Sequence, residues 1–265
     1  LDVYKLVSSL MRWWAGEDKT WSVVVVPTIE DEDARHFHRE RNTLKKERTA
    51  HINRMKGLLK LHGISLKKIG AGFVEELSDL RLRDGNPLPP QLRIRLEREY
   101  ERLAFIESQL ELLAEQRREA LRRSDDERIA KVRKLIQLRG VGEIGAWNTV
   151  MEIFGWRVFS NRGQVGSFVG LTGTPSDSGD VEREQGIDKA GNPHVRALLV
   201  EMAWSWVQWQ PDSEITKWFN RKFGAAGKRH RRIGIVGVAR KLVIAFWRYL
   251  EQDVKPKGAI IFEQH

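Results

Sequence analysis

From Asp33 to about His62, and again from Gln91 to about Arg123, the chain is charged on nearly every turn and carries only a thin apolar seam. In the first stretch the seam is Leu44, Ile52, Met55, Leu58, Leu59 and Leu61, while Arg35, Arg39, Arg41, Lys45, Lys46, Arg48 and Arg54 cover much of the remaining surface. In the second, Leu92, Leu96, Leu103, Ile106, Leu110, Leu113 and Leu121 recur mainly at intervals of three, four and seven. Only a long helix turns such a seam to one side. Gly63 ends the first stretch, and Gly70 to Pro90, with Asp84-Gly85-Asn86-Pro87 and Pro89-Pro90, forms a breaker-rich loop. The pattern predicts an antiparallel coiled-coil hairpin whose seam can also recruit a second copy of the protein; an ordinary bundle helix is the alternative for the second stretch. Its basic surface can follow a phosphate backbone without reading sequence. The fold class expected is mainly α.

Around this hairpin the helix signals are local. Leu1 to Trp14 has helical spacing, with Leu6, Leu10, Trp13 and Trp14 on one side and Asp2 at the opening, where an acid favours a helix N-terminus. Trp21 to Val26 is a β-branched run stopped by Pro27, expected to be a buried strand, and Thr28 to Asp33 supplies a cap and an acidic first turn. Ser124-Asp125-Asp126-Glu127 caps a new helix and marks a boundary. That helix ends at Leu138-Arg139-Gly140-Val141-Gly142, with a further helix from Ile144 to Phe154. Helix, Gly-apolar-Gly, helix is the pattern of a helix-hairpin-helix element, in which Gly140, Gly142 and the following backbone N–H groups face a phosphate. The same two glycines also suit a tight helix–helix turn. Asn192-Pro193 and Asp212-Ser213 open two more helices, the first ending before Pro211 and the second at Gly224. The last helix is expected over about Ile233 to Gln252, with Arg240 and Lys241 outward.

The 265 residues include 46 Lys and Arg against 36 Asp and Glu, a net charge of +10 that suggests a polyanion; nucleic acid is the commonest, and an acidic membrane surface gives the same signature. The densest cluster is Gly227-Lys228-Arg229-His230-Arg231-Arg232, read as a phosphate-tracking segment leading into the last helix. With no cysteine, disulfides and thiolate chemistry are excluded. No apolar run approaches bilayer length, so no membrane partner is expected and a cytoplasmic location is. His36, His38 and His51 lack the spacing that sets two imidazoles on one helical face and read as solvated surface residues rather than a zinc site. Trp147, Phe154, Trp156, Phe159 and Phe168 read as core.

Between Gly170 and Arg196 lies a polar stretch with five glycines, expected to cross the surface through several turns. At its centre Asp177-Ser178-Gly179 sets a hydroxyl between a carboxylate and a residue free to take positive φ. It is equally a common turn sequence. Lys189 and Arg196 flank the loop where they can meet a phosphate.

Taken in order, Leu138-Arg-Gly-Val-Gly142, Phe159-Ser160, Gly170-Leu171, Ser178-Gly179, Gly191-Asn192 with Arg196, and Ala239-Arg-Lys-Leu242 resemble the carboxy-terminal domain of the IS110 family of insertion-sequence transposases. One departure is Thr172-Gly173-Thr174 ahead of Pro175, where the family has proline soon after the Gly-Leu pair. The resemblance implies that Ser178 is the nucleophile attacking DNA. It also implies that Leu1-Asp2-Val3 ends a RuvC-like segment, with Asp2 one member of a four-carboxylate set holding Mg²⁺, and that a bridge RNA selects the DNA. The implied organisation is a RuvC-like remnant over residues 1–34, the coiled-coil hairpin over 35–123, an all-α serine transposase domain over 124–254 and a tail over 255–265. As the single carboxylate of an incomplete centre, Asp2 is expected to leave this chain inactive alone. The rival readings are a non-catalytic nucleic-acid-binding protein, in which Ser178 is a turn residue, and a coiled-coil assembly module.

Overall fold

The computed structural model describes residues 2–17, 20, 25–178, 181–187 and 191–262, leaving aside the side chains of 173–178 and 181–186. These residues are almost entirely helical, and their only sheet is one two-stranded antiparallel hairpin. None of their helices is long and apolar enough to cross a membrane.

Thr28 caps the first long helix, α2 (Ile29–Leu61), through a capping box with Asp31, so this helix starts earlier than its apolar seam. It pairs with α4 (Pro90–Arg123), and Arg48 with Glu107 (2.8 Å) and Arg54 with Glu99 (2.7 Å) set an antiparallel register. The buried seam of α4 is Leu96, Glu99, Leu103, Ile106, Leu113 and Arg117, at heptad intervals but with charge at two of the six positions. Glu99 is satisfied by His51 Nδ1 (2.6 Å), Arg54 and Arg102. Burial alone would raise its pKa, yet these donors hold it below the ordinary carboxylate value. Buried ion pairs of this kind add little net stability but penalise a slipped register. His51 is therefore a seam residue rather than a solvated one.

The segment expected as a bare loop is a packed cap. A short helix, α3 (Phe73–Asp79), buries Phe73 and Leu77 with Ile69 and Leu88 against Met55, Leu59 and Leu96 at the hairpin's far end. At the other end, Ala34, Phe37, Ala120 and Leu121 join the core of the second body. That core assembles around α10 (Lys228–Gln252), whose Ile235, Val238, Leu242, Phe246 and Tyr249 are buried. Against it pack α5 (Glu127–Ile136), α7 (Arg162–Phe168), α8 (Pro193–Trp209) and α9 (Glu214–Phe223), with α6 (Glu143–Thr149) seated on α5 and α8. Asp126, Asn192 and Ser213 cap their helices as read from sequence.

The helix after the glycine turn is interrupted: α6 passes into a π-helical turn, Val150–Phe154, which carries Glu152. Glu152 accepts from His38 Nε2 (2.8 Å) and Arg39 Nε (3.1 Å), and Arg39 also reaches Glu32 (2.6 Å). Arg35 beside them lies over the Trp156 ring at 4.4 Å. His38, at 3% exposure, is thus no surface histidine: it ties the hairpin to the second body.

Two further expectations change. Residues 21–24 of the expected strand lie outside the described residues, and Val25 and Val26 are exposed and non-strand. A β-branched run gains burial and pairing only with a partner strand, and the described residues place none beside it. The first helix, α1 (Val3–Trp14), forms where its spacing places it and buries none of its residues. The loop expected to cross the surface by serial turns is a hairpin, β1 (Gly173–Ser178) paired with β2 (Val181–Ile187), because each polar strand satisfies the other's backbone groups. Residues 257–262 are stapled down: Glu214 N donates to Lys257 O, and Gln210 exchanges two hydrogen bonds with Ile260.

Burial by itself would raise the Glu152 carboxyl, but the hydrogen bonds from His38 and Arg39 outweigh it and hold the pKa at about 2. The folded value lies below the unfolded one, so this stabilisation is complete above about pH 5 and is lost as pH falls towards 2. Glu152→Gln should therefore cost about 1–3 kcal/mol at pH 7. In urea denaturation the gap between wild type and variant should narrow steadily from pH 5 to pH 2; a constant gap would show that Glu152 ionisation does not stabilise the junction.

Candidate functional site

The β1–β2 hairpin leaves the helical body between two helix ends, and its base is built by backbone. Gly170, at φ +63°, turns the chain out of α7, its N–H bonding Ser167 O (2.9 Å) while Leu171 N–H bonds Gly166 O (3.1 Å). On the returning side Gly191 lies so close to α7 that a Cβ there would overlap the Phe168 carbonyl oxygen and crowd Val169. Only glycine fits this approach. Asn192 then caps α8 by accepting from His194 N (2.9 Å), and Arg196 Nη1 reaches back to Gly191 O (3.5 Å).

Ser178 is the last residue of β1, paired in register with Val181. Gly179, Asp180 and Lys189 lie outside the described residues, as does the Ser178 side chain. Two half-buried arginines flank the base. Arg196 comes from α8. Arg240, from α10, brings Nε beside Gly166, next to the Thr172 hydroxyl. Arg196 turns Nη1 to the Gly191 carbonyl, and among the described side chains neither arginine has a carboxylate within ion-pair distance. Helix periodicity alone marks Arg240 as merely outward-facing. Its position at the site depends on α7 crossing α10, which no local signal in the sequence reports.

The glycine turn has two different halves. Gly140, at φ +84°, is pressed onto α8: a Cβ would lie 3.0 Å from Trp209 Cβ and 3.3 Å from Ser205 O, and Ser205 Oγ donates to the Gly140 carbonyl at 2.7 Å. Gly142 starts α6 and faces open space.

Lys228, Arg229, Arg231 and Arg232 are exposed and form the opening turns of α10, not a loop before it. Gly227 gives no side-chain cap and the first turn holds no acid. Cations here oppose the positive end of the helix dipole, a cost that a bound anion relieves. Asp2 caps α1, its Oδ1 accepting from Tyr4 N at 3.2 Å, and is exposed. Among the described residues no three His, Asp or Glu side chains are grouped to hold a metal. A lone capping carboxylate does not fit a Mg²⁺ site by itself, because that ion takes several oxygen ligands.

Residues 132–216, from α5 through the hairpin to the start of α9, match the family model described as Transposase IS116/IS110/IS902 family. Over 98% of its length the chain is 35% identical to y4rJ of Sinorhizobium fredii, named as a transposase, and covers 68% of that protein. It is 27% identical, over 66% of its length, to the transposase for insertion sequence element IS1111A of Coxiella burnetii, covering 47% of it. With the transposase for element IS1328 of Yersinia enterocolitica the identity is 26% over 84% of the chain, which covers 64% of that relative. A likeness that runs through both the helical hairpin and the body bearing Ser178 places this chain in the IS116/IS110/IS902 family of transposases.

Proposed function

We propose that the chain supplies the serine-bearing part of a DNA strand-transfer enzyme. The observation that carries this reading is the likeness to a transposase across nearly the whole chain. In the reaction the Ser178 hydroxyl attacks a backbone phosphate. A bond forms between Ser178 Oγ and phosphorus, the strand's own ester bond breaks, and the departing end leaves as a hydroxyl after taking up a proton. Serine is a weak nucleophile at neutral pH, so a base or a metal centre must assist removal of its proton. Asp2 would provide one oxygen ligand of such a Mg²⁺ centre. The geometry supporting the reading is a hairpin that carries Ser178 at the end of its first strand and is rooted between Arg196 and Arg240. Ser178 stands at the hairpin's tip, about 17 Å along β1 from that root, so Arg196 and Arg240 would hold backbone phosphates that flank the root rather than the phosphate under attack.

Nucleic acid is held by the cationic start of α10 and by the Gly142 end of α6, in the manner of a helix-hairpin-helix element. A bridge RNA would choose the DNA by base pairing, leaving α2 and α4 to bind backbone. The exposed Phe105 and Leu112 on α4 support self-association through a coiled-coil hairpin. A non-catalytic nucleic-acid-binding role would use the same cations without the serine.

Incubated with DNA bearing the element's ends, the full-length protein that contains this chain should give a covalent protein–DNA adduct on denaturing gels. Ser178→Ala should abolish it while DNA binding changes less than about twofold; an undiminished adduct removes Ser178 from the mechanism. Gly191→Ala should displace the hairpin root. It should reduce adduct formation at least about tenfold, since misplacing a reacting group by an ångström costs about a hundredfold; a normal adduct yield in a folded Gly191→Ala protein would show that the root does not position the serine.

A further inference from the structure

We propose that the cleft between α9, α10 and the C-terminal segment binds one nucleotide of a single-stranded nucleic acid, with its base against Trp218 and its phosphates among the surrounding cations. The cleft has a volume of about 380 Å³ and is lined by Arg162, Lys241, Arg248, Lys255 and Lys257 around Trp218, with Glu214 its one acid. That volume suits a base and sugar.

Five cations gathered around one cleft repel each other, and the nearby acids offset them only in part, Asp253 acting on Lys255 without a direct ion pair. Glu251 is taken by Lys131 at 2.8 Å and Asp253 by Lys134 at 2.7 Å. Among the described residues none of the five cations has a carboxylate within ion-pair distance. A polyanion is the partner whose charge fits.

Trp218 supplies a different kind of recognition. Its ring is fixed by packing: the indole edge rests on Gly237, where a Cβ would stand 2.9 Å from Cη2, and Phe223 meets it edge-on at 5.8 Å. Lys241 Nζ lies 4.6 Å from the ring centroid. A fixed, half-exposed indole with ammonium groups around it is a stacking platform for a base whose phosphates are held alongside. When a base arrives, Lys241 exchanges the ring for the neighbouring phosphate.

The cleft's outer wall is built rather than trailing. Glu214 N donates to Lys257 O at 3.0 Å, and Gly258, at φ +70°, packs so closely on Asp212 that a Cβ would overlap its carbonyl oxygen. Arg162 opens α7 and the Ser178 hairpin leaves from the other end of α7, so the cleft is separate from the serine site. A failure of the Ser178 adduct and a failure of this cleft are read in different assays.

The test is fluorescence anisotropy of the whole chain with a labelled oligo(dT) of about 12 nucleotides, the matching oligo(U), and a duplex of equal length. Lys241 and Arg248 are exposed, so Lys241→Gln with Arg248→Gln leaves the core intact. This double variant should bind single strands about tenfold more weakly and lower the salt slope of log K by about 1.4, with duplex binding reduced less than about threefold. Trp218→Leu should weaken single-strand binding about tenfold, and Trp218→Phe should retain it. Unchanged single-strand affinity in the double variant, or an equal loss for duplex, overturns the proposal. Tight binding of dTMP that oligo(dT) fails to displace would assign the cleft to a free nucleotide and overturn it as well.

Discussion

Burial of one face of α10 is the constraint on which the second body depends. Ile235, Val238, Leu242 and Phe246 are fully inaccessible, and Phe246 meets the buried Trp206 of α8 edge-on at 6.1 Å. Burying side chains of this size contributes about 1.5–3 kcal/mol each, so this face outweighs any surface ion pair in the molecule. Once that face is fixed, the positions of the cations on α10 are fixed too. Lys228 to Arg232 project from its start, Arg240 reaches the hairpin root, and Lys241 and Arg248 enter the cleft beside Trp218. The apolar side determines the fold, and the same rotation of the helix determines where positive charge is offered.

The two long helices obey a different balance. Their seam is apolar near α3 and again near the second body, but Glu99 and Arg117 interrupt it and Arg48 pairs with Glu107 across the surface. A seam with charge at fixed positions resists sliding more than it adds stability. The hairpin's orientation is then set at its root by Glu152, where a π-helical turn presents a carboxylate to His38 and Arg39. Because Phe37 also packs on Trp147 at 5.2 Å, the ionic contact is backed by aromatic burial.

Much of this was legible wherever the signal is local. Thr28, Asp126, Asn192 and Ser213 announce helix starts because a capping side chain bonds backbone two or three residues away. Heptad spacing announced the long pair in the same way. What stayed hidden depends on contacts distant in sequence. Glu152 and His38 are 114 residues apart, and nothing near either shows that they meet. The hairpin was missed because its strands are polar and glycine-broken, with no alternating apolar face to reveal their period. The last helix, expected from about Ile233, starts at Lys228 because four basic residues in its opening turns contradict ordinary dipole preference and so hide the start. The candidate site divides along the same line: Ser178 and Arg196 are marked by the order of short motifs along the chain, whereas Arg240 is brought in by the crossing of α7 over α10.

Those two misreadings share a physical cause. A sequence that disregards local preference, with cations at a positive helix end or polar strands without a core, is stabilised elsewhere or is shaped for a ligand. For the hairpin the compensation is visible at its root, where Gly191 lets the returning backbone lie on the end of α7 and Leu171 is buried. The start of α10 has no such internal compensation: Gly227 offers no side-chain cap, and the first turn holds no acid. Four cations therefore stand at the positive end of the helix dipole with no acid in the first turn to offset them. The helix that organises the core thus serves two demands at once, apolar burial along its length and a concentration of unbalanced positive charge at its exposed start.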